Sequence, residues 1–168
     1  MNPYSRPSRR SLLLQLLAAG SLSVTLPQPA WSYDESSTSA VNTDASGLAL
    51  KGFDPVSYQS TSGPTPGQPQ WVADFEGARY QFSSAANRDA FRANPARFAP
   101  AFGGFCAMGV ALEKKLDVDP KAWRVVDGKL YLNVNLDVQK RWLDDVNGHV
   151  RQADGNWPKL KSKAPKSL

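Results

Sequence analysis

Apolar and polar residues alternate along two stretches of the chain, and a segment with helical spacing follows each stretch. In the first, Trp71 to Phe82 alternates around Glu76-Gly77, a pattern typical of a β-hairpin with a tight turn. A helix is predicted from Ala85 to Ala93, because two serines can cap its start and Asn-Pro closes it. These signals predict a hairpin-plus-helix unit.

The second stretch repeats the arrangement. Trp123 to Val134 alternates around Asp127-Gly128, and a helix is predicted from Leu136 to Asn147, ended by Gly148. In both units a tyrosine lies three residues after the turn glycine and another aromatic residue fourteen after it. The shared spacing indicates either a repeated structure or a coincidence, since the intervening residues differ.

The two units predict a small single domain of the α+β class. Each unit has one apolar face, and joining the faces would bury both. A Gly- and Pro-rich loop, Ala96 to Lys121, is expected to connect the units. The expected common core contains six aromatic residues: Trp71, Phe82, Phe91, Trp123, Tyr131 and Trp142.

The ends of the chain differ in composition from this domain. Residues 33–46 are mostly Ser, Thr, Asp, Asn and Ala, which predicts a disordered linker. The folded domain is expected over 47–160, and a flexible basic tail over 161–168. A length of 168 residues has room for one such domain.

Residues 1–32 have the features of an export signal. Arg9 and Arg10 precede an apolar run from Leu12 to Leu26, which is too short for a permanent membrane span. Ala30-Trp31-Ser32 is a small-x-small cleavage site. The paired arginines resemble the twin-arginine motif, so we expect a folded passenger of the twin-arginine export machinery in the periplasm. An ordinary secretory signal is the alternative.

Charge places a limit on the partners of the exported part. The whole chain carries a net charge of +5, but residues 1–32 contribute three arginines and no acid. The remaining 17 basic and 15 acidic residues leave +2. Because nucleic-acid binding needs a concentrated basic face, no nucleic-acid partner is expected.

Several motifs in order resemble the YHS domain. They are Lys51 to Tyr58 (KGFDPVSY), Gly77 to Ser84 (GARYQFSS) and Gly103 to Ala107 (GGFCA). Gly128 to Asn133 and Ala153 to Pro158 are similar to an exported branch of that family. The resemblance implies a link to heavy-metal handling through two cysteine positions, which in this chain hold serine, at residues 57 and 83. Serine is a poor ligand for soft metals.

The single cysteine offers another candidate metal site. Cys106 is followed two residues later by Met108, and a thiolate with a thioether suits Cu(I). The alternative is that both are apolar core residues beside Phe105. We expect Asp54 and Tyr58 to meet this segment, so that Asp54, Tyr58 and Phe105 line a small binding recess next to Cys106.

Three functions follow from these observations. The leading prediction is a non-catalytic exported binding module of the YHS type, with a role in metal or small-ligand handling. The second is an accessory protein that binds no ligand. The third is a thiol-dependent enzyme, in which Cys106 and His149 form the one thiol–imidazole pair that the composition allows. A structural role at a helix end is the alternative for His149.

Overall fold

Two β-hairpins, each followed by a helix, form the framework of the protein in a computed structural model that describes residues 33–60 and 63–168. The predicted α+β fold is confirmed. The strands are β1 (Gln68–Phe75), β2 (Ala78–Phe82), β3 (Asp119–Val126) and β4 (Lys129–Asn133). The helices are α1 (Ala85–Ala93), α2 (Pro95–Phe98), α3 (Ala107–Ala111), α4 (Leu136–Asp144) and α5 (Val146–Leu160).

Both predicted hairpins are present. β1 pairs with β2, and β3 pairs with β4, as separate antiparallel two-stranded sheets. The turns have positive φ at both central residues, 51° and 77° for Glu76-Gly77 and 49° and 76° for Asp127-Gly128. Such turns match the right-handed twist of the strands that they join.

The two units are a structural repeat with a constant offset of 51 residues. Both helices of the repeat, α1 and α4, are nine residues long, and Ala85 and Leu136 are 51 positions apart. The N-cap side chains are equivalent: Ser84 accepts from the N–H of Asn87, and Asn135 accepts from the N–H of Val138. Both sheets also shift register at the corresponding place. Because the helix lengths, the caps and the register shifts all agree, the shared spacing is a structural repeat and not a coincidence.

The core is divided, and the prediction that six aromatic residues form one core is wrong. Phe82 and Phe91 lie in one buried cluster, with Trp71 at its edge. Tyr131 and Trp142 lie in a second cluster, and Trp123 packs against a third. In each unit the strand tyrosine instead stacks on its own helix. The ring centroids are 5.0 Å apart for Tyr80–Phe91 and 5.3 Å apart for Tyr131–Trp142.

The segment 33–46 is part of the fold, in contrast to the predicted disordered linker. Val41 is 2% exposed, and the N–H of Asn42 donates to the carbonyl of Gly103 at 2.9 Å. Tyr33 and Asp44 form a bridge across the segment. Backbone hydrogen bonds to the domain hold this polar segment, which has few apolar residues to signal its burial.

The tail 161–168 also packs on the domain instead of extending freely. Lys115 is 1% exposed, and its Nζ donates to the carbonyls of Ser39 at 2.7 Å, Lys161 at 3.2 Å and Lys163 at 2.8 Å. The ammonium group also lies 4.5 Å from the ring centroid of Phe105. One buried lysine therefore connects both ends of the described chain.

The second unit continues into a helix that the sequence did not predict. Gly148 was expected to end a helix, but α4 ends at Asp144 and α5 passes through Gly148. Asp145 caps α5 by accepting from the N–H of Gly148 at 2.9 Å. A Cβ at Gly148 would lie 2.0 Å from Oδ2 of Asp145, so the glycine permits this cap. Across 33–60 and 63–168, no helix has the length and apolar character needed to cross a membrane.

Candidate functional site

Asp54 is a buried structural anchor in the segment before β1. Its Oδ1 accepts from the N–H of Val56 at 2.8 Å. Its Oδ2 accepts from the N–H of Ser83 at 2.9 Å, the hydroxyl of Ser83 at 2.7 Å and the side-chain amide of Asn87 at 2.6 Å. The carboxylate thus ties the turn after Asp54 to the end of β2 and to α1. Its oxygens are directed at protein donors and not at a recess.

Tyr58 is buried and its hydroxyl is engaged. The hydroxyl donates to the carbonyl of Pro120 at 3.0 Å, and the ring meets Trp123 edge to face at a centroid distance of 5.3 Å. Burial, with smaller contributions from the charges of Asp119 and Asp54, raises the pKa of this phenol. Tyr58 therefore connects the segment before β1 to β3.

Cys106 is fully buried at the start of α3. Its Sγ accepts from the N–H of Gly109 at 3.3 Å and lies 3.7 Å from Oδ1 of Asn133. Burial raises the pKa of the thiol, although hydrogen bonds from backbone groups at Gly109, Val134 and Met108 act in the opposite direction. A buried thiol with a raised pKa is protonated and poorly reactive.

The structure brings together part of the predicted site. Tyr58 and Cys106 belong to one apolar cluster, and Met108 packs against it. Phe105 lies in the neighbouring cluster, and Asp54 is engaged as described above. Because the sulfur of Cys106 has no exposed surface, the Cu(I) hypothesis stays a prediction that needs a local opening of the chain.

The serines at the two family cysteine positions do not fit a soft metal. Ser57 donates from its hydroxyl to the carbonyl of Asp54 at 2.7 Å and accepts from the N–H of Thr65 at 3.1 Å. Ser83 donates to the carboxylate of Asp54. In the part of the chain that the structure describes, no group of three or more His, Cys, Asp or Glu side chains is arranged to hold a metal.

His149 has a structural contact. Its Nδ1 lies 3.0 Å from the carbonyl oxygen of Trp142, and because a carbonyl can only accept, Nδ1 carries the proton. The imidazole thus connects α5 to α4. The hydrogen bonds of Cys106 and His149 go to other groups, so these two side chains do not form a catalytic pair in this conformation.

A groove of about 300 Å³ lies between the two units, and sequence reasoning missed it. We call it the inter-unit groove. One side is formed by the end of β1 and the segment that follows α2, and the other by β4 and α5. The residues that give it chemical character are Phe75, Glu76, Phe102, Lys129, Tyr131, Asp154 and Trp157.

Backbone strain shapes one wall of the groove. Phe102, Gly103 and Gly104 have consecutive positive φ values of 53°, 60° and 81°. This region is costly for an aromatic residue, and such strain often occurs at functional sites. A Cβ at Gly103 would lie 1.8 Å from the carbonyl oxygen of Ala40, so the segment 33–46 can pack here only because residue 103 is glycine.

Tyr131 presents a polar group that the protein does not satisfy. The residue is 5% exposed and lines the groove, and its hydroxyl has no hydrogen-bond partner among the described residues. Burial, then the charges of Asp154 and Asp127, raises the pKa of the phenol. The hydroxyl is therefore a protonated donor at neutral pH.

Aromatic rings and charges surround this hydroxyl. The ring of Phe102 lies 5.9 Å from that of Tyr131 and 5.9 Å from that of Trp157. Glu76, Asp154 and Lys129 also line the groove, and none of them forms an ion pair with a described residue. The groove thus combines aromatic surface, one unpartnered hydroxyl, two carboxylates and one ammonium group.

A weak signal for the groove was present in the sequence. Phe102-Gly103-Gly104 combines an aromatic residue with two glycines, and the motif from Ala153 to Pro158 contributes Asp154 and Trp157. Each segment is recognisable as a motif, but no local pattern indicates that the two meet. Their contact depends on how α5 packs against α3, in the segment that joins the two units.

Comparison of the chain with models of protein families, with curated proteins and with solved structures found no match. The resemblance to the YHS domain therefore stays a prediction. The geometry of the chain's own residues carries the functional argument that follows.

Proposed function

We propose that this chain is an exported, non-catalytic binding module of the YHS type, and that the inter-unit groove holds a small ligand. The observation that carries the proposal is the hydroxyl of Tyr131, a residue that lines a groove of about 300 Å³ and whose hydroxyl has no protein partner among the described residues. That volume is at the lower end of small-molecule pockets, which combine apolar walls with a few polar groups. A ligand with a hydrogen-bond acceptor would satisfy the hydroxyl.

A non-catalytic role is supported by the state of the residues that carry nucleophilic chemistry. Cys106 is fully buried, its pKa is raised, and it lies away from the groove lining. His149 is held by the carbonyl of Trp142. Among the described residues that line the groove, the ionisable groups are carboxylates, one ammonium and one phenol, without a nucleophile and base in contact.

Binding can be tested by NMR on ¹⁵N-labelled protein. The exported protein is titrated with a panel of small cationic, anionic and neutral molecules and with Cu(I). Groove ligands should shift the signals of Lys129, Tyr131 and Trp157 in a saturable manner. Shifts centred on Met108 with Cu(I) would instead favour the metal hypothesis, and the absence of any saturable ligand would favour the accessory-protein alternative.

A blocked variant makes this test specific. Ala96 is exposed and lines the groove, so Ala96→Trp should fill the groove and abolish binding while the fold is retained. Ala93 is equally exposed on α1 but lies outside the groove lining, so Ala93→Trp is the matched control. Binding that survives Ala96→Trp unchanged would contradict the proposal.

Export is tested separately. Arg9 and Arg10 lie outside the described residues, and the paired arginines support a twin-arginine signal. Replacing both by Lys should retain the precursor in the cytoplasm, and the mature form of the unaltered protein should begin near Tyr33. Normal periplasmic accumulation of the double variant would exclude this export route.

A further inference from the structure

We infer that the ligand of the inter-unit groove is a small organic ammonium ion that also carries a hydrogen-bond acceptor. The inference rests on the proposed function, because it names the ligand class of the same groove. Three independent properties of the groove lead to it: its charges, its aromatic rings and its unpartnered hydroxyl.

The charges favour a cation. Glu76 and Asp154 both line the groove, whereas Lys129 is the single base among the described residues that line it. None of the three is neutralised by an ion pair within the described part of the chain. Burial, and after it the negative charges of Asp154 and Asp127, raise the pKa of Tyr131, so negative charge also acts on a residue of the groove lining.

The aromatic rings also favour a cation as the ligand. The face of an aromatic ring attracts a cation, most strongly for Trp, and desolvation strengthens the attraction. Phe102, Tyr131 and Trp157 all line the groove, and Trp157 is the most exposed of the three, because Phe102 is 7% and Tyr131 is 5% exposed. The protein uses this interaction elsewhere, since Arg88 lies 5.1 Å from the ring centroid of Trp71. A quaternary or alkylated ammonium suits such rings because it is easily desolvated.

The hydroxyl of Tyr131 adds a second point of recognition. It can donate to a hydroxyl, ether or carbonyl oxygen on the ligand, and it has no competing partner among the described residues. An ammonium group between carboxylate and rings, with an oxygen at Tyr131, would fix both the position and the orientation of the ligand. Choline has both groups and serves as the probe.

Choline and its neutral isostere, 3,3-dimethyl-1-butanol, differ only in the charged nitrogen. Titrations of the exported protein by NMR and by tryptophan fluorescence should give an affinity for choline at least about tenfold higher than for the alcohol. Equal affinities would show an apolar site and overturn the inference. Failure of choline to bind would also overturn it, and the proposed function would still stand if another molecule of the panel bound the groove.

Matched variants locate the charge effect. Asp154→Asn should weaken choline binding at least about fivefold and leave the alcohol unchanged, because it removes a negative charge from the groove. Asp89→Asn removes the same charge from the exposed face of α1, outside the groove lining, and should change choline binding less than about twofold. Equal losses in the two variants would mean that net charge, and not the groove, controls binding.

The structural repeat supplies a control for the hydroxyl. Tyr131→Phe should weaken both probes, since each carries the oxygen that the hydroxyl would bind. Tyr80 is the equivalent residue of the first unit, is buried and lies outside the groove lining, so Tyr80→Phe should leave both affinities unchanged. Choline binding that persists in Ala96→Trp would place the cation elsewhere and overturn the inference.

Discussion

Replacing Asp54 by Asn preserves the size of the side chain but removes the acceptor on which the first unit depends. All four partners of the carboxylate are donors: two backbone N–H groups, one hydroxyl and one amide. An Asn side chain has one acceptor oxygen, and its NH₂ group would face a donor. In the better orientation the oxygen keeps the partners at Ser83 and Asn87, and the N–H of Val56 loses its acceptor.

The cost can be worked from these contacts. An unsatisfied buried N–H costs about 1–3 kcal/mol. The three remaining hydrogen bonds change from charge-assisted to neutral, a loss of about 1 kcal/mol each. Removing a buried charge offsets part of this loss, because the desolvation penalty of the carboxylate disappears. We therefore expect Asp54→Asn to lower the free energy of unfolding by about 3 kcal/mol.

Urea unfolding followed by tryptophan fluorescence measures this change. With a slope of about 1–3 kcal/mol per molar urea, the midpoint should fall by about 1–3 M. Asp89→Asn is the matched control, because Asp89 is an exposed carboxylate on α1 that pairs with Arg88. Its loss should cost less than about 1 kcal/mol. Midpoints for the two variants within about 0.3 M of each other would refute the role assigned to Asp54.

Three further predictions concern the core, the buried lysine and the thiol. Phe91→Ala and Trp142→Ala should each lower the free energy of unfolding by about 3–5 kcal/mol, measured by urea unfolding. For the milder variants Phe91→Leu and Trp142→Phe, the losses should add within about 0.5 kcal/mol in the double variant, because the two rings lie in separate clusters. Larger coupling would mean a shared core. Burial lowers the pKa of Lys115 to about 8 from 10.5, so between these values the unfolded chain holds more protons and stability should rise with pH. Between about pH 7.5 and about pH 9.5 the free energy of unfolding should rise by about 1–2 kcal/mol in the unaltered protein. Lys115→Met should not show this rise, and an equal pH dependence in both proteins would contradict this account. A thiol reagent should label Cys106 only as fast as the protein unfolds, measured by mass spectrometry, because the sulfur is fully buried. Labelling in native buffer at the rate of a free cysteine would show that the site opens.

Local signals were sufficient where the structure depends on neighbouring residues. Each hairpin was predicted from alternation around a turn with glycine, and α1 from its serine cap and closing Asn-Pro. The capping serine, Ser84, and the turn at Glu76-Gly77 lie next to the elements that they define. The same local signals also indicate the spacing of the repeat, because the turn glycine and the aromatic residues after it are close together in the chain.

Local signals failed where long-range contacts decide the structure. The segment 33–46 and the tail 161–168 are polar, which predicts disorder, but both pack on the domain. Buried Lys115 donates to carbonyls in both, and the N–H of Asn42 donates to the carbonyl of Gly103. Lysine is ordinarily exposed, so no pattern indicated this role. The sequence predicts a helix end at Gly148, because the cap formed when its N–H donates to the carboxylate of Asp145 is visible only in three dimensions.

By itself, the sequence determined the class of fold, the two units and the burial of Phe82, Phe91, Tyr131 and Trp142, because alternation, turn glycines and caps act over a few residues. Only the tertiary structure decided which aromatic rings share a core, and it placed Asp54 and Cys106 among internal donors instead of beside a recess. It also created the inter-unit groove, whose lining runs from Phe75 to Trp157. No local pattern can encode a cavity between elements so far apart in the chain, since its shape follows from the packing of whole units.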